Sequence, residues 1–128
     1  MILVTDTHSI IWYFTEDSRL SQKALEAFEE TIKEGIIIVP AVVLAEIMYI
    51  AEKGKTSLTF GETLQKIEES DNFSIAPLDI EILKVAAKIG VVLEMHDRLI
   101  IATALYHDVS LVTKDDQIRT AGICSTLW

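Results

Sequence analysis

The chain has 128 residues, half of them hydrophobic, and 20 acids against 11 bases give it a formal net charge of −9. That size and apolar content suit one domain with a sizeable core, and no Pro-, Gly- or Ser-rich linker divides it, so residues 1–128 read as a single domain. The acidity counts against a general nucleic-acid binder, whose phosphate contacts draw on Lys and Arg.

No apolar run reaches the roughly 18 residues that a membrane span needs. The opening "MILVTDTHSIIW" puts an acid inside the first apolar stretch with no basic segment ahead of it, which argues against a signal peptide. A lone Cys124 makes no internal disulfide and fits a reducing cytoplasm.

Residues 2–4 form a short apolar strand. "THSIIWYF" then sets Ile10, Ile11 and Phe14 at helical spacing, with Thr7 as the expected N-cap. Leu20, Ala24, Phe28 and Ile32 keep one face of a second helix apolar, and Gly35 stops it. Its Glu-rich opposite face is a solvated one. "IIIV" at 36–39 is β-branched without alternation, as a strand buried on both faces should be. Pro40 ends it and suits the first turn of a helix.

"AVVLAEIMYIAEKG" predicts a helix that is apolar nearly all round, with Glu46 in its middle. "LTFGETLQKIEES" is an amphipathic helix with Leu64 and Ile67 inward, and "FSIAPLD" is a strand ending in a turn. Asp79 and Gly90 bracket the next helix, and "HDRLIIATALYHD" is another. "SLVT" is a strand, "DDQIRTAG" a short helix and "ICSTLW" an edge strand. Strands alternating with helices predict an α/β domain around a mainly parallel sheet, with helices on both faces. Ligands of such sheets bind beyond the carboxyl ends of the strands, where Asp6 and Asp115 fall.

Four acids stand among apolar neighbours: Asp6 after "ILVT", Glu46 within "VVLAEIMYI", Asp97 at the head of "DRLIIATAL" and Asp115 after "LVTK". An ionised carboxylate in apolar surroundings is costly to bury unless it is paired or binds a metal. Asp6, Asp97 and the pair Asp115 and Asp116 also have a plain alternative as helix caps. Glu46, in mid-helix, has no capping role.

Oxygen ligands select hard cations, so Mg²⁺ or Mn²⁺ is the expected ion. His8, His96 and His107 lack the spacing of a zinc site, although His8 and His96 lie close enough in sequence to Asp6 and Asp97 to line a pocket with them. No Gly-rich phosphate loop is present. His8 stands where an Asp-x-Asp phosphatase would need its second acid, and no Ser sits on a glycine-flanked elbow. Four carboxylates and a hard cation suit phosphodiester hydrolysis, in which the metal polarises the phosphoryl oxygen and activates a water.

"VTDTHSIIW", "VPAVVLAEI", "HDRLIIATAL" and "LVTKDD", in that order and spacing, resemble the PIN-domain nucleases, and among these the VapC-type toxins of toxin–antitoxin pairs. The resemblance covers essentially the whole chain and implies a three-layer α/β/α, PIN-like fold. It implies that Asp6, Glu46, Asp97 and Asp115 form the catalytic, metal-binding cluster of an Mg²⁺-dependent endoribonuclease. Thr113 would support that cluster by hydrogen bonding, with Asp116 as a second acid beside Asp115.

RNA as substrate, a cognate antitoxin and a homodimer are the partners it implies, with no membrane. Arg98, Lys114, His8 and His96 are candidate substrate contacts, with Lys53, Lys55 and Arg119 as further bases for a local rim. A dimer also has a physical basis, since the helix over 41–51 carries more apolar faces than a small monomer easily covers. The alternative is a PIN-like fold acting as a non-catalytic interaction module.

Overall fold

Five parallel strands form one sheet in the order β3-β2-β1-β4-β5, in a computed structural model that describes residues 1–90 and 93–128. The strands are β1 (Ile2–Thr5), β2 (Ile36–Pro40), β3 (Phe73–Ala76), β4 (Ser110–Val112) and β5 (Thr126–Leu127). The helices between them are α1 (Thr7–Phe14), α2 (Gln22–Glu34), α3 (Ala41–Glu52), α4 (Phe60–Glu68), α5 (Ile80–Ile89), α6 (Met95–His107) and α7 (Asp116–Ala121). This is the expected three-layer α/β/α arrangement. No helix among the described residues is long and apolar enough to cross a membrane.

The centre of the sheet is dry. Val4, Ile37, Val39, Leu111 and Val112 are fully buried, as β-branched and Leu runs without alternation require when helices cover both faces. Register pairs Val4 with Ile38 on one side and with Leu111 on the other, so β1 is the middle strand. From β1 the chain runs outward through β2 to β3, then crosses back to β4 on the far side of β1. The strand order therefore reverses between β1 and β4, and a crevice opens at such a switch point.

Two expectations about helix ends change. The N-cap of α1 is Asp6, whose carboxylate accepts the Ser9 amide at 2.9 Å, and Thr7 is the first helical residue. Thr5 still pairs in the sheet, so the turn begins one residue earlier than Thr7. Gly35 does follow α2, but in an extended conformation, not the left-handed one. It is glycine because a Cβ there would overlap the Met1 carbonyl, whose oxygen accepts the Ile36 amide at 3.1 Å.

Helix α3 is covered mainly by its own chain. Val42, Val43, Leu44 and Ile47 are buried, and α1, α4 and α6 pack around it, leaving Met48 and Tyr49 as its exposed large side chains. A broader exposed apolar area lies elsewhere. Ile2, Ile36, Ile75 and Tyr106 border a cavity of about 360 Å³ at the opposite side of the sheet, with Ile80 and Leu83 exposed on the neighbouring α5.

Candidate acidic active site

The carboxyl ends of β1, β2 and β4 each deliver an acid. Asp6 follows β1 directly, Asp115 lies three residues beyond Val112 of β4, and Glu46 sits two turns into α3, which Pro40 starts without a break from β2. Asp97 comes from the first turn of α6. These four line one cavity of about 410 Å³ together with Thr7, His8, Glu94 and Lys114. The local sequence explains Asp6 and Asp115, since a strand, a tight turn and a helix start leave the residues after the strand facing the crevice, whereas Glu46 and Asp97 are brought there by the helices that carry them.

Each acid is held differently. Asp6 is almost wholly buried, at 9% exposure. Burial raises its pKa, while hydrogen bonds from Ser9 and Thr113 and the charge of His8 pull it down. Thr113, fully buried, also takes the Asp115 amide at 3.1 Å on its hydroxyl oxygen. Glu46 Oε1 accepts the Thr7 hydroxyl at 2.7 Å, and its Oε2 lies 3.8 Å from His96 Nδ1. Asp115 Oδ1 accepts the Ile118 amide at 3.1 Å, so this acid also caps α7.

Asp97 accepts no hydrogen bond from the described residues. Its pKa is raised to about 6, first by desolvation and then by the charges of Asp115, Glu46, Glu94 and Asp6. One carboxylate feeling all the others is the electrostatic mark of a convergent cluster.

The cap alternative thus holds for Asp6 and Asp115, which cap and line the cavity at once. It does not hold for Asp97, because Glu94 occupies the N-cap position of α6. Asp116 points to solvent, with its side chain 95% exposed and 3.7 Å from Arg119. Lys114 lines the cavity and its ammonium also lies 5.7 Å from the Trp12 ring. Arg98 is engaged elsewhere, donating to the Ala86 carbonyl of α5 at 3.0 Å.

Two contributors were not singled out from the sequence. Glu94 lies three residues before Asp97, a helical spacing that was the available signal. Thr7 holds Glu46, a contact across 39 residues that no local pattern announces.

The donor chemistry fits a hard divalent cation, since carboxylate oxygens predominate among the groups that line the cavity. Their spacing is looser than that of a closed site. Among the described residues no three His, Cys, Asp or Glu side chains stand at metal-binding geometry. The carboxylates outnumber the bases around them and repel one another, and Asp6, Glu46 and Asp115 are also used as acceptors of local N–H and O–H groups.

An open parallel α/β sheet with an acidic crevice at its switch point defines an α/β domain whose candidate site lies where such sheets bind ligands. The chain belongs to the PIN-domain family, whose signature it matches over residues 3–123. It is 31% identical to the ribonuclease VapC22 of Mycobacterium tuberculosis over 121 residues, 92% of this chain and 90% of that protein.

Among solved structures, VapBC2 from Rickettsia felis bound to a promoter DNA fragment superposes with a TM-score of 0.73 at 17% identity, covering 98% of this chain and 97% of that one. A toxin–antitoxin complex from Klebsiella pneumoniae gives 0.68 at 20% identity, over 97% and 94% of the two chains. FitAcB from Neisseria gonorrhoeae gives 0.66 at 20%, over 98% and 96%. These structural likenesses establish the fold.

Proposed function

We propose that the protein is an Mg²⁺- or Mn²⁺-dependent endoribonuclease, the toxin of a toxin–antitoxin pair acting in the cytoplasm. The observation that carries this is the convergence of Asp6, Glu46, Asp97 and Asp115 on one cavity beyond β1, β2 and β4. Those four residues would hold the cation. When bound, it would polarise the phosphoryl oxygen of RNA and lower the pKa of a water.

The chain's own part is to aim and to exclude. Thr7 fixes Glu46, the Ile118 amide fixes Asp115, and hydrogen bonds from Ser9 and Thr113 offset part of the desolvation that raises the pKa of buried Asp6. Lys114 supplies a cation at the rim, beside the Asp115 it precedes, where a phosphate flanking the cut would lie.

The test is cleavage of RNA by the wild type in Mg²⁺, in chelator, and by Glu46→Gln. Chelator should stop cleavage. Glu46→Gln should reduce it on the order of 10²-fold or more while the fold survives, since shape is kept and a ligand charge is lost. Cleavage by Glu46→Gln at the wild-type rate would remove that residue from the site. A wild type that neither cuts RNA nor binds Mg²⁺ by calorimetry would leave the domain as an interaction module.

The antitoxin partner is supported by the VapBC and toxin–antitoxin complexes among the structural relatives, and a net charge of −9 suits a basic partner segment. A homodimer is supported by the exposed apolar border formed by Ile2, Ile36, Ile75 and Tyr106. Sedimentation at micromolar concentration, with Ile75→Lys as the disrupting variant, decides between dimer and monomer.

A further inference from the structure

A second cavity, of about 960 Å³, lies between α1 and α3 and reaches the loop after α3. It shares His8 and Glu46 with the acidic cavity, so the two adjoin. Small-molecule cavities run from about 300 to 1,000 Å³, and this one stands at the upper end. We propose that it is a nucleotide subsite, receiving the base and phosphate next to the scissile bond of an RNA strand. Tyr49 is its stacking surface and Lys55 its phosphate contact. The proposal rests on the ribonuclease assignment and names how that site selects its substrate.

The lining has the composition a nucleotide needs. Tyr49 is 61% exposed on α3, whose other face buries Val42, Val43, Leu44 and Ile47. An exposed aromatic ring beside a polar crevice offers a π-face that any base can stack on. Thr15, Thr56 and Ser57 supply hydroxyls, which suit base edges and the ribose.

In a chain of net charge −9, this lining balances Arg19 and Lys55 against Asp17 and Glu46. Arg19 and Lys55 line the cavity, and the Lys53 ammonium lies 5.3 Å from the centre of the Tyr49 ring. Arg19 is held in a 2.7 Å ion pair with Asp17 and lies 5.0 Å over Trp12. Lys55 has no acidic partner among the described residues, which leaves its charge for an anion.

These cations favour RNA over a polypeptide. An acidic protein of this charge draws basic peptide segments, and a basic segment gains nothing from Arg19 and Lys55. A nucleotide strand gains most there, because the neighbouring acids repel its backbone until a cation offsets them.

The test uses the full chain. Binding of a fluorescein-labelled ten-nucleotide RNA is measured in Mg²⁺ on an Asp97→Asn background, over a range of salt. Cleavage of a randomised RNA pool is measured with Asp97 intact. Tyr49→Ala should weaken binding about 5- to 150-fold and flatten the nucleotide preference on one side of the cut, whereas Tyr49→Phe should keep both. Lys55→Ala should reduce the slope of log affinity against log salt by about 0.7. Lys33→Ala, which lines neither cavity, should leave affinity and preference in place.

Wild-type affinity, salt slope and cutting preference in both Tyr49→Ala and Lys55→Ala would overturn the subsite and leave the cavity to a partner polypeptide, with the ribonuclease assignment untouched. RNA binding that depends on Tyr49 and Lys55 without any cleavage by the intact chain supports the subsite and overturns the ribonuclease assignment. No RNA binding at all overturns both.

Discussion

Thr7 donates its hydroxyl proton to Glu46 across 2.7 Å, joining the first turn of α1 to the middle of α3. The two residues are buried and half-buried, and neither has another side-chain partner that close. Glu46 therefore owes its aim to a hydroxyl that belongs to the turn carrying Asp6.

Replacing that hydroxyl by a methyl should be felt at the metal before it is felt in the fold. Thr7→Val keeps the shape and frees the Glu46 carboxylate to rotate. Loss of an outer partner of a ligand typically costs 10- to 100-fold in metal affinity or activity, and that range is expected here. Mg²⁺ titration by calorimetry and the RNA cleavage rate measure it. Unchanged affinity in a folded Thr7→Val would mean that Glu46 is positioned by α3 alone.

The adjacent acids Asp115 and Asp116 should separate by mutation. Asp115 lines the cavity and caps α7, while Asp116 projects into solvent with its side chain 95% exposed. Asp115→Asn should lower cleavage on the order of 10²-fold, and Asp116→Asn should change it less than about twofold, as surface substitutions do. The reverse order would put the second acid on the metal.

Much of this was legible because an acid beside β-branched residues is conspicuous. Asp6 after "ILVT" and Asp115 after "LVTK" announce strand ends, and Glu46 stands out against Val, Leu, Ile and Met. What was not legible depends on distant contacts. The use of Arg98 on the Ala86 carbonyl, and the packing of α1, α4 and α6 around α3, follow from tertiary packing that periodicity does not encode. Local apolarity told that α3 would be covered, not that its own chain would cover most of it. Thr7 and Asp6 are both good caps, and only the sheet pairing of Thr5 decides between them.

Gly35 gives a prediction about the fold itself. Its backbone is extended, so any residue could adopt its angles, yet a Cβ would strike the Met1 carbonyl. Gly35→Ala must push β1 away from the start of β2 and disturb the Ile36 to Met1 hydrogen bond. A loss of about 1–3 kcal/mol is expected, the range for overpacking a tight site. Urea unfolding measures it, and an unchanged midpoint would show that the first residue yields without strain.

The last prediction concerns pH and Asp97. Its folded pKa of about 6 stands above the ordinary value of 3.8 that holds in the unfolded chain, so the folded state takes up this proton first as pH falls. Above about pH 6 the carboxylate is ionised in both states, and the folded one bears first its desolvation and then the repulsion of Asp115, Glu46, Glu94 and Asp6. Between 6 and 3.8 that penalty is relieved, and below 3.8 both states are protonated and nothing further is gained. Asp97→Asn removes the penalty, so at pH 7 without metal it should be more stable than the wild type. Asp97 is only partly buried, and solvent screening holds the gain to on the order of 1 kcal/mol. The gap should narrow steadily toward pH 4. Excess Mg²⁺ at pH 7 should reverse the order, because it binds the folded wild type and stabilises the variant less. Melting curves of both proteins at pH 7 and pH 4.5, in chelator and in Mg²⁺, measure these differences. Equal melting temperatures for the two proteins in chelator at pH 7, with no shift in Mg²⁺, would mean that the acids do not share a site.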